Sequence, residues 1–521
     1  MGYRSGTDRA QIIMPASIDE YVEHDNPVRV IDACVEALDL VKLRFTKSTP
    51  AADGSPAYNP KDMLGLYLYG YMNRTRSSRQ LERAAKINTE VIWLMKGLQP
   101  DYRTIARFRH ENAGVMKKAF KAANRIFEKM DLFGKEAVSI DGSKFKANNS
   151  PKKAFTKEEL KKKDKELDEQ IRKYLAELDR GDAEEAGRKT RPDAKAVADA
   201  LQKLQNRSEE VKRLLEEMDA EEMTSICTTD KDSRKIKAGD TYIAGYNPIV
   251  AVDVDGGMIA AYETTNHSND QGMLTEVAVQ AKEAMNAEEL QAFADAGFDN
   301  PSDMAKALSE GMTPVVCSQD KIESIDICVE SDKNEPPEKH ENGKCVYNEK
   351  RNIVICPMGK ALYPRSYSNY QKAGVYCNPD ACKNCPCRCT VETYKKFYVR
   401  MKLKLFSKEY DDDGLKLKQI RIRYASYQEA ELRRCASEHG FGIIKEPMGF
   451  RVCLTRGFDN VDAEFALIFT AYNIKRAIAL LGVRNLLKKV RMMGVYPQYL
   501  LLFRYYGMRF SALWQKYSAI A

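Results

Sequence analysis

Long apolar runs are missing from this chain. No stretch of about 18 residues is free of charge, which excludes a simple membrane-spanning helix and makes a membrane partner unexpected. Residues 1–30 lack the basic-then-apolar pattern of a secretory leader, so the chain is expected to act in the cytoplasm. There is no Gly-rich phosphate loop followed by Lys, so use of a nucleoside triphosphate is not expected. Histidine is scarce, five scattered residues in 521 with none inside the cysteine cluster at 377–389, which argues against a catalytic zinc centre. Acidic residues are absent from 465–521, where nine Lys and Arg alternate with Tyr472, Tyr496, Tyr499, Tyr505 and Tyr506. A one-signed, aromatic-rich tail suits a polyanion with bases to stack on, although a cationic helix packed on the core has the same composition.

What is present fits a soluble chain of several modules. The length exceeds what one hydrophobic core usually supports, so roughly two to four modules are expected. Residues 1–135 carry helical periodicity, for example Met63, Leu64, Tyr67, Leu68 and Tyr71. Basic side chains cluster at Arg74, Arg76, Arg79 and Arg83, and again at Arg103, Arg107 and Arg109. These read equally as a DNA-docking face or as the solvated side of a plain bundle. The pattern changes at 136–154, where Ala137, Val138 and Ile140 predict a buried strand ending in Asp141-Gly142. Residues 155–225 hold two apolar stripes, one through Leu160, Leu167 and Ile171 and one through Leu204, Val211 and Leu214, which predict an antiparallel helical hairpin. From 226 to 318 strands alternate with helices, including a hairpin turning at Asp255-Gly256-Gly257 and a strand 290–294 running into Asp295. Residues 319–400 form a polar, Cys-rich insertion, and 401–521 hold a helix over 426–445 followed by basic helices.

Two short strands thus each end in an Asp followed by small residues, Asp141-Gly142 and Asp295-Ala296-Gly297. A carboxylate there is held by the sheet yet open to solvent, which suits a magnesium site, whereas a lone strand-end Asp is often only a turn residue. Asp253 also lies near a strand end and is the main rival to Asp295, but the order strand, Asp, small residue, Gly at 294–297 favours Asp295. His267 with Asp270 either supports the same site or forms a loop. On the 426–445 helix, Arg434, Glu438 and Lys445 share one face, and Gly440 and Gly442 predict a break or a close approach.

The resemblance follows from motifs in order: Gly54-Ser-Pro-Ala-Tyr-Asn-Pro60, Ser77-Ser-Arg-Gln-Leu-Glu-Arg83, Pro100-Asp-Tyr-Arg-Thr-Ile-Ala-Arg-Phe-Arg109, Ile140-Asp-Gly-Ser-Lys144, Gly245-Tyr-Asn-Pro-Ile-Val-Ala-Val-Asp253, Ala294-Asp-Ala-Gly-Phe298, Glu438-His-Gly-Phe-Gly-Ile-Ile-Lys445 and Ala471-Tyr-Asn-Ile-Lys-Arg476. The chain resembles the DDE transposases of bacterial insertion sequences, in the subgroup with a helical N-terminal domain. The resemblance implies an α/β fold with a ribonuclease-H-like catalytic core, interrupted here by the helical hairpin and the Cys-rich insertion. It implies Asp141, Asp295 and Glu438 as acids holding two Mg2+ or Mn2+ ions, and Arg434, Lys445, Lys144, Arg79, Arg107 and Arg109 as DNA contacts. The related pattern has a Tyr three residues before the Arg, where this chain has Glu431, and often a Pro after the Glu, where it has His439. Partners implied are double-stranded DNA, as terminal inverted repeats and as target, with a homodimer on DNA because two ends are paired. The expected place is the bacterial nucleoid.

Two further readings stay beside active transposition: a catalytically silent DNA-binding repressor or domesticated remnant, and a nuclease of the same fold that cuts without joining. In the insertion, Cys382-x-x-Cys385 has the spacing of a shared tetrahedral zinc, with Cys356 and Cys377 as the other pair, and one structural Zn2+ is expected. A group of reduced thiols in a loop is the alternative.

Overall fold

The computed structural model describes residues 17–49, 56–184, 194–221, 223–267, 269–316, 345–348, 353–368, 373–383, 385–386, 393–399, 404–411, 414–421, 423–424 and 427–493. Six helices come first: α1 (Pro27–Glu36), α2 (Pro60–Met72), α3 (Ser78–Ile87), α4 (Thr89–Leu94), α5 (Tyr102–Glu111) and α6 (Ala113–Glu128). Their starts are written in the sequence. Asn26 and Asn59 each accept a backbone N–H just ahead of a proline, and Ser77 forms a reciprocal capping pair with Gln80. Asp101 caps α5 through Thr104 N at 2.7 Å.

Strand β1 (Ala137–Gly142) opens the main sheet, and β2 (Phe145–Lys146) follows. A short pair, β3 (Ala154–Thr156) and β4 (Ser225–Cys227), closes the base of the helical hairpin α7 (Lys157–Glu184) and α8 (Ala194–Ala220). The expected seam is there, with Leu160, Leu167, Val211, Leu214 and Met218 buried together, while Leu175 farther out is exposed. Next come β5 (Arg234–Ala238), β6 (Thr241–Asp253), β7 (Ile259–Thr265), α9 (Leu274–Met285), β8 (Leu290–Ala294), α10 (Pro301–Ser309) and β9 (Met312–Val316).

In the main sheet β1 lies between β6, antiparallel to it, and β8, parallel to it; β9 continues parallel beyond β8, and β7 pairs antiparallel with β6. The strand order is therefore β7-β6-β1-β8-β9, with β2 and β5 on the first half of β6. The Cys-rich region is a five-stranded antiparallel sheet of β10 (Val346–Asn348), β11 (Ile353–Ile355), β12 (Ala361–Ser368), β13 (Ala373–Cys377) and β14 (Lys396–Val399), with α11 (Pro379–Lys383) between the last two. A ribbon, β15 (Lys404–Asp411) and β16 (Gly414–Arg421), leads to β17 (Arg423–Tyr424), which adds to β9.

Two helices complete the fold, α12 (Tyr427–Lys445) and α13 (Phe458–Leu481). The helical break expected at Gly440 and Gly442 does not occur, since α12 runs through both. A Cβ at Gly440 would meet the Tyr472 hydroxyl at 3.4 Å, an ordinary contact, and one at Gly442 would meet nothing within 4 Å among the described residues, so neither glycine is required by a close approach. Helix α13 is buried along most of its length, packs on α2 and α6, and joins helices and sheet in one continuous core from Val22 to Val490. Among the described residues no single helix is long and apolar enough to cross a membrane; α13 with the bent segment Val483–Met493 comes nearest, and α13 is covered by protein.

Candidate active site

Register brings the two predicted aspartates together. In the parallel pair β1–β8, Ile140 stands beside Ala294, so the next residues, Asp141 and Asp295, emerge side by side at one end of the sheet. Burial, then the nearby Asp295 carboxylate, push the Asp141 carboxyl up to about 6. Two acids held together without a cation between them are the arrangement a divalent ion relieves. Asp295 is fixed by its own turn, Oδ1 accepting Gly297 N at 2.8 Å.

Helix α12 covers this end of β1. Ser139 and Asp141 turn toward it: the Ser139 hydroxyl donates to the Arg433 carbonyl at 2.9 Å, and the fully buried Ser437 donates to Asp141 Oδ2 at 3.1 Å. Arg433 Nη1 lies 3.6 Å from the same oxygen. Two turns on, Lys445 Nζ donates to Ser143 Oγ at 2.6 Å and sits 4.8 Å over the Phe145 ring. Burial, with Arg451 adding to it, lowers the Lys445 pKa against the pull of Asp141. Glu438 is one residue past Ser437, about 100° around the helix, and its side chain is exposed. Among the described residues no group of three or more His, Cys, Asp or Glu is placed to hold a metal ion. The structure thus assembles the Asp141–Asp295 pair but does not close Glu438 onto it. The side chains of Arg434 and Glu431 lie outside the described residues.

Sequence reasoning passed over Arg433, Ser437, Ser143 and Asn247. The buried phase of α12, set by Phe441 and Ile444, carries Ser437 and Arg433, and that apolar spacing was the available signal. Of the two loop residues after β7, His267 is exposed, while Asp270 reaches the site and accepts from Asn247 Nδ2 at 2.5 Å. Asp253 stands at the other end of the sheet, paired with Val138, and its carboxylate receives the N–H groups of Gly134 and Gly256. It is a turn anchor and not a rival ligand.

The expected basic contacts divide. Lys144 is half-buried and close enough to favour the charged form of Asp270. Arg79 is exposed above the Tyr102 ring at 5.2 Å, and Arg107 is exposed with Glu111 at 3.8 Å. Arg109 turns inward, 5.6 Å from the Tyr67 ring, with its Nη1 buried and without a partner among the described residues, so its local setting is the core and not a DNA-facing surface. Arg74 and Arg76 are also committed internally, donating to the carbonyls of Pro447 and Val452.

In the small sheet, Cys356 Sγ accepts Lys360 N at 3.4 Å beside Gly359 at φ +72°. Burial raises the Cys377 thiol pKa, and Cys382 contributes to the shift. Cys385 N bonds Cys382 O at 3.3 Å. Cys387 and Cys389 lie outside the described residues.

Two family models match the chain. A transposase domain of the DUF772 family matches residues 16–111, and a transposase DDE domain matches residues 219–474. The second holds Asp270, Asp295 and Glu438, and Asp141 falls between the two. A comparison with curated proteins finds no match. Among solved structures, the cryo-EM structure of a piggyBac transposase synaptic complex with hairpin DNA is similar over 92% of this chain and 81% of that one, at 9% identity and a TM-score of 0.29. On its two matched domains, the chain belongs to the DDE transposases, DNA-cleaving polynucleotidyl transferases.

Proposed function

We propose that this transposase cleaves DNA at the ends of its element and joins them to target DNA at the sheet end where Asp141 and Asp295 meet, with Glu438 as third acid. The observation that carries the reading is the in-register pairing of β1 and β8. The strand order β7-β6-β1-β8-β9, three antiparallel strands followed by two parallel ones, supports a ribonuclease-H-like core. That core would comprise 136–154, 226–318 and the α12 region of 401–521. The helical N-terminal DNA-binding domain is 1–135, the inserted hairpin 155–225 and the Cys-rich module 319–400.

The residues suit two Mg2+ or Mn2+ ions, because two carboxylates leave neighbouring strands side by side and the buried Asn247 Oδ1 near the turn after Asp141 has no hydrogen-bond partner among the described residues. Asp141, Asp295 and Glu438 would hold the ions. When bound, such ions lower the pKa of an attacking water or 3′-hydroxyl and stabilise the leaving oxygen. Ser437 and Arg433 orient Asp141, and Lys445 and Lys144 offer positive charge to a phosphate. The DNA partners are terminal inverted repeats and target duplex, bound by a homodimer at the nucleoid. The zinc proposal keeps Cys356, Cys377, Cys382 and Cys385 as ligands, which would have to close together on the metal, since no three of them are placed as a metal site here.

Incubating the protein with a candidate inverted repeat and Mg2+ tests this reading. Asp141→Asn is expected to abolish cleavage and leave DNA affinity within about twofold; cleavage by D141N overturns it. The exposed Glu438 favours one second reading, a catalytically silent DNA-binding repressor or domesticated remnant. Wild-type binding without any cutting supports that, whereas loss of cutting in Glu438→Gln supports the enzyme.

A further inference from the structure

Asp270 lies in the loop between β7 and α9, and both turns that follow the strand-end aspartates open onto it. A Cβ on Gly142 would come within 2.7 Å of Asp270 Oδ1, and one on Gly297 within 3.7 Å of Asp270 Oδ2. The glycine after Asp141 therefore leaves room for this carboxylate, and the turn after Asp295 lies in ordinary van der Waals contact with it. Asn247, fully buried on β6, aims it by donating Nδ2 to Asp270 Oδ1. The other end of that amide, Oδ1, is buried without a partner among the described residues and would lie 3.1 Å from a Cβ on Gly142. An unpartnered acceptor beside a carboxylate lacks a positive group or a donor.

A purely structural role accounts poorly for Asp270. Helix α9 starts just after it, yet the N–H groups of Leu274 and Thr275 go to the Asp303 carboxylate. Among the described residues Asp270 forms no ion pair, and Lys144 and Asp295 are the charges felt there. Among the described residues its one side-chain bond is to Asn247, whose amide oxygen is left without a partner there.

We infer that Asp270, aimed by Asn247, is a further cation-binding acid of this site, placed on the Asp295 side. This rests on the reading that Asp141 and Asp295 bind the divalent ion. Asp270 thereby offers the site a carboxylate besides the exposed Glu438; the three aspartates do not stand as a closed metal group in this structure, and the ion would draw Asp270 onto the pair.

Mn2+ titration of the full, DNA-free chain by calorimetry tests it without reference to catalysis. Asp270→Asn keeps the shape and the acceptor for Asn247 and removes only the charge. Its Mn2+ affinity is expected to fall at least about tenfold, as for Asp295→Asn, with the Tm in EDTA equal to or above that of wild type. Gly142→Ala retains the carboxylate but displaces it, and should weaken Mn2+ in the same direction even if D270N proves unstable. Wild-type Mn2+ binding by both D270N and G142A, with binding lost in D141N and D295N, overturns the role of Asp270 alone. Wild-type binding by all four variants overturns the Asp141–Asp295 reading and this inference with it.

Discussion

Asp253 has no exposed surface, and its two oxygens accept the backbone N–H groups of Gly134 and Gly256. Burial raises its pKa to about 6, with those N–H groups pulling the other way. A carboxyl raised on folding stabilises the protein fully below its unfolded pKa of about 3.9 and loses that contribution as pH rises through the folded value. Stability in EDTA is therefore expected to fall between pH 4 and 6. Asp141 acts with the same sign. Asp253→Asn should flatten part of that slope, and Asp253→Ala should cost about 1–3 kcal/mol at neutral pH by stranding two N–H groups. Urea unfolding at pH 4.5, 5.5 and 6.5 checks both; an unchanged slope in D253N would mean the group is not raised. At this scale strand, turn and carboxylate are adjacent in the chain at Asp141 and Asp295, so their places at strand ends were legible, although a strand-end Asp alone reads equally as a turn residue. The sequence favoured Asp295 over Asp253 through the small residues that follow, while the physical difference, one at each end of the sheet, comes from strand direction.

Helix α12 shows what periodicity reveals and what it misses. Its extent was legible to within a residue, but Glu438 of the expected charged face lies one step away from the buried face. The contacts that reach β1 come from Arg433 and Ser437, and only Lys445 of the expected three is seen touching the loop after Asp141. A helix face is set by what it packs on, and the sheet that fixes it lies about 300 residues earlier in the chain. Ser437→Ala removes the hydroxyl that orients Asp141. Cleavage should drop about tenfold with unchanged DNA affinity, the size expected when a group behind a ligand is lost. Single-turnover cleavage alongside a binding titration checks this, and an equal loss of both would assign Ser437 to packing. The five-stranded order of the Cys-rich region was not legible, because its strands are short and their pairing is fixed by long-range register.

At the scale of the whole molecule, α13 makes the helical region and the sheet mutually dependent. Asn473 donates to Asn124 Oδ1 and to the carbonyl of Ile259, and accepts Ile259 N, tying α6 to β7 through one buried amide. Glu464, also buried, accepts from Leu454 N, Thr455 N, the Thr455 hydroxyl and Tyr71 of α2. Arg109 lies within the electrostatic reach of Tyr71 and Glu464, so this cation belongs to the internal network. Composition alone had grouped Arg109 with exposed arginines, since an inward turn leaves no mark in a list of charges. Glu464→Ala strands several donors, at a cost on the order of 2–4 kcal/mol. Because the core is continuous, that loss should be shared by both regions: native-state hydrogen exchange should speed up in α2 and in β7 together, with a single thermal transition at lower Tm. Arg109→Ala should act the same way, lowering Tm while DNA affinity per folded molecule stays within about twofold. Acceleration confined to α2 would show that the helices unfold apart from the sheet, and a selective loss of DNA binding in R109A would return that arginine to the DNA-facing set.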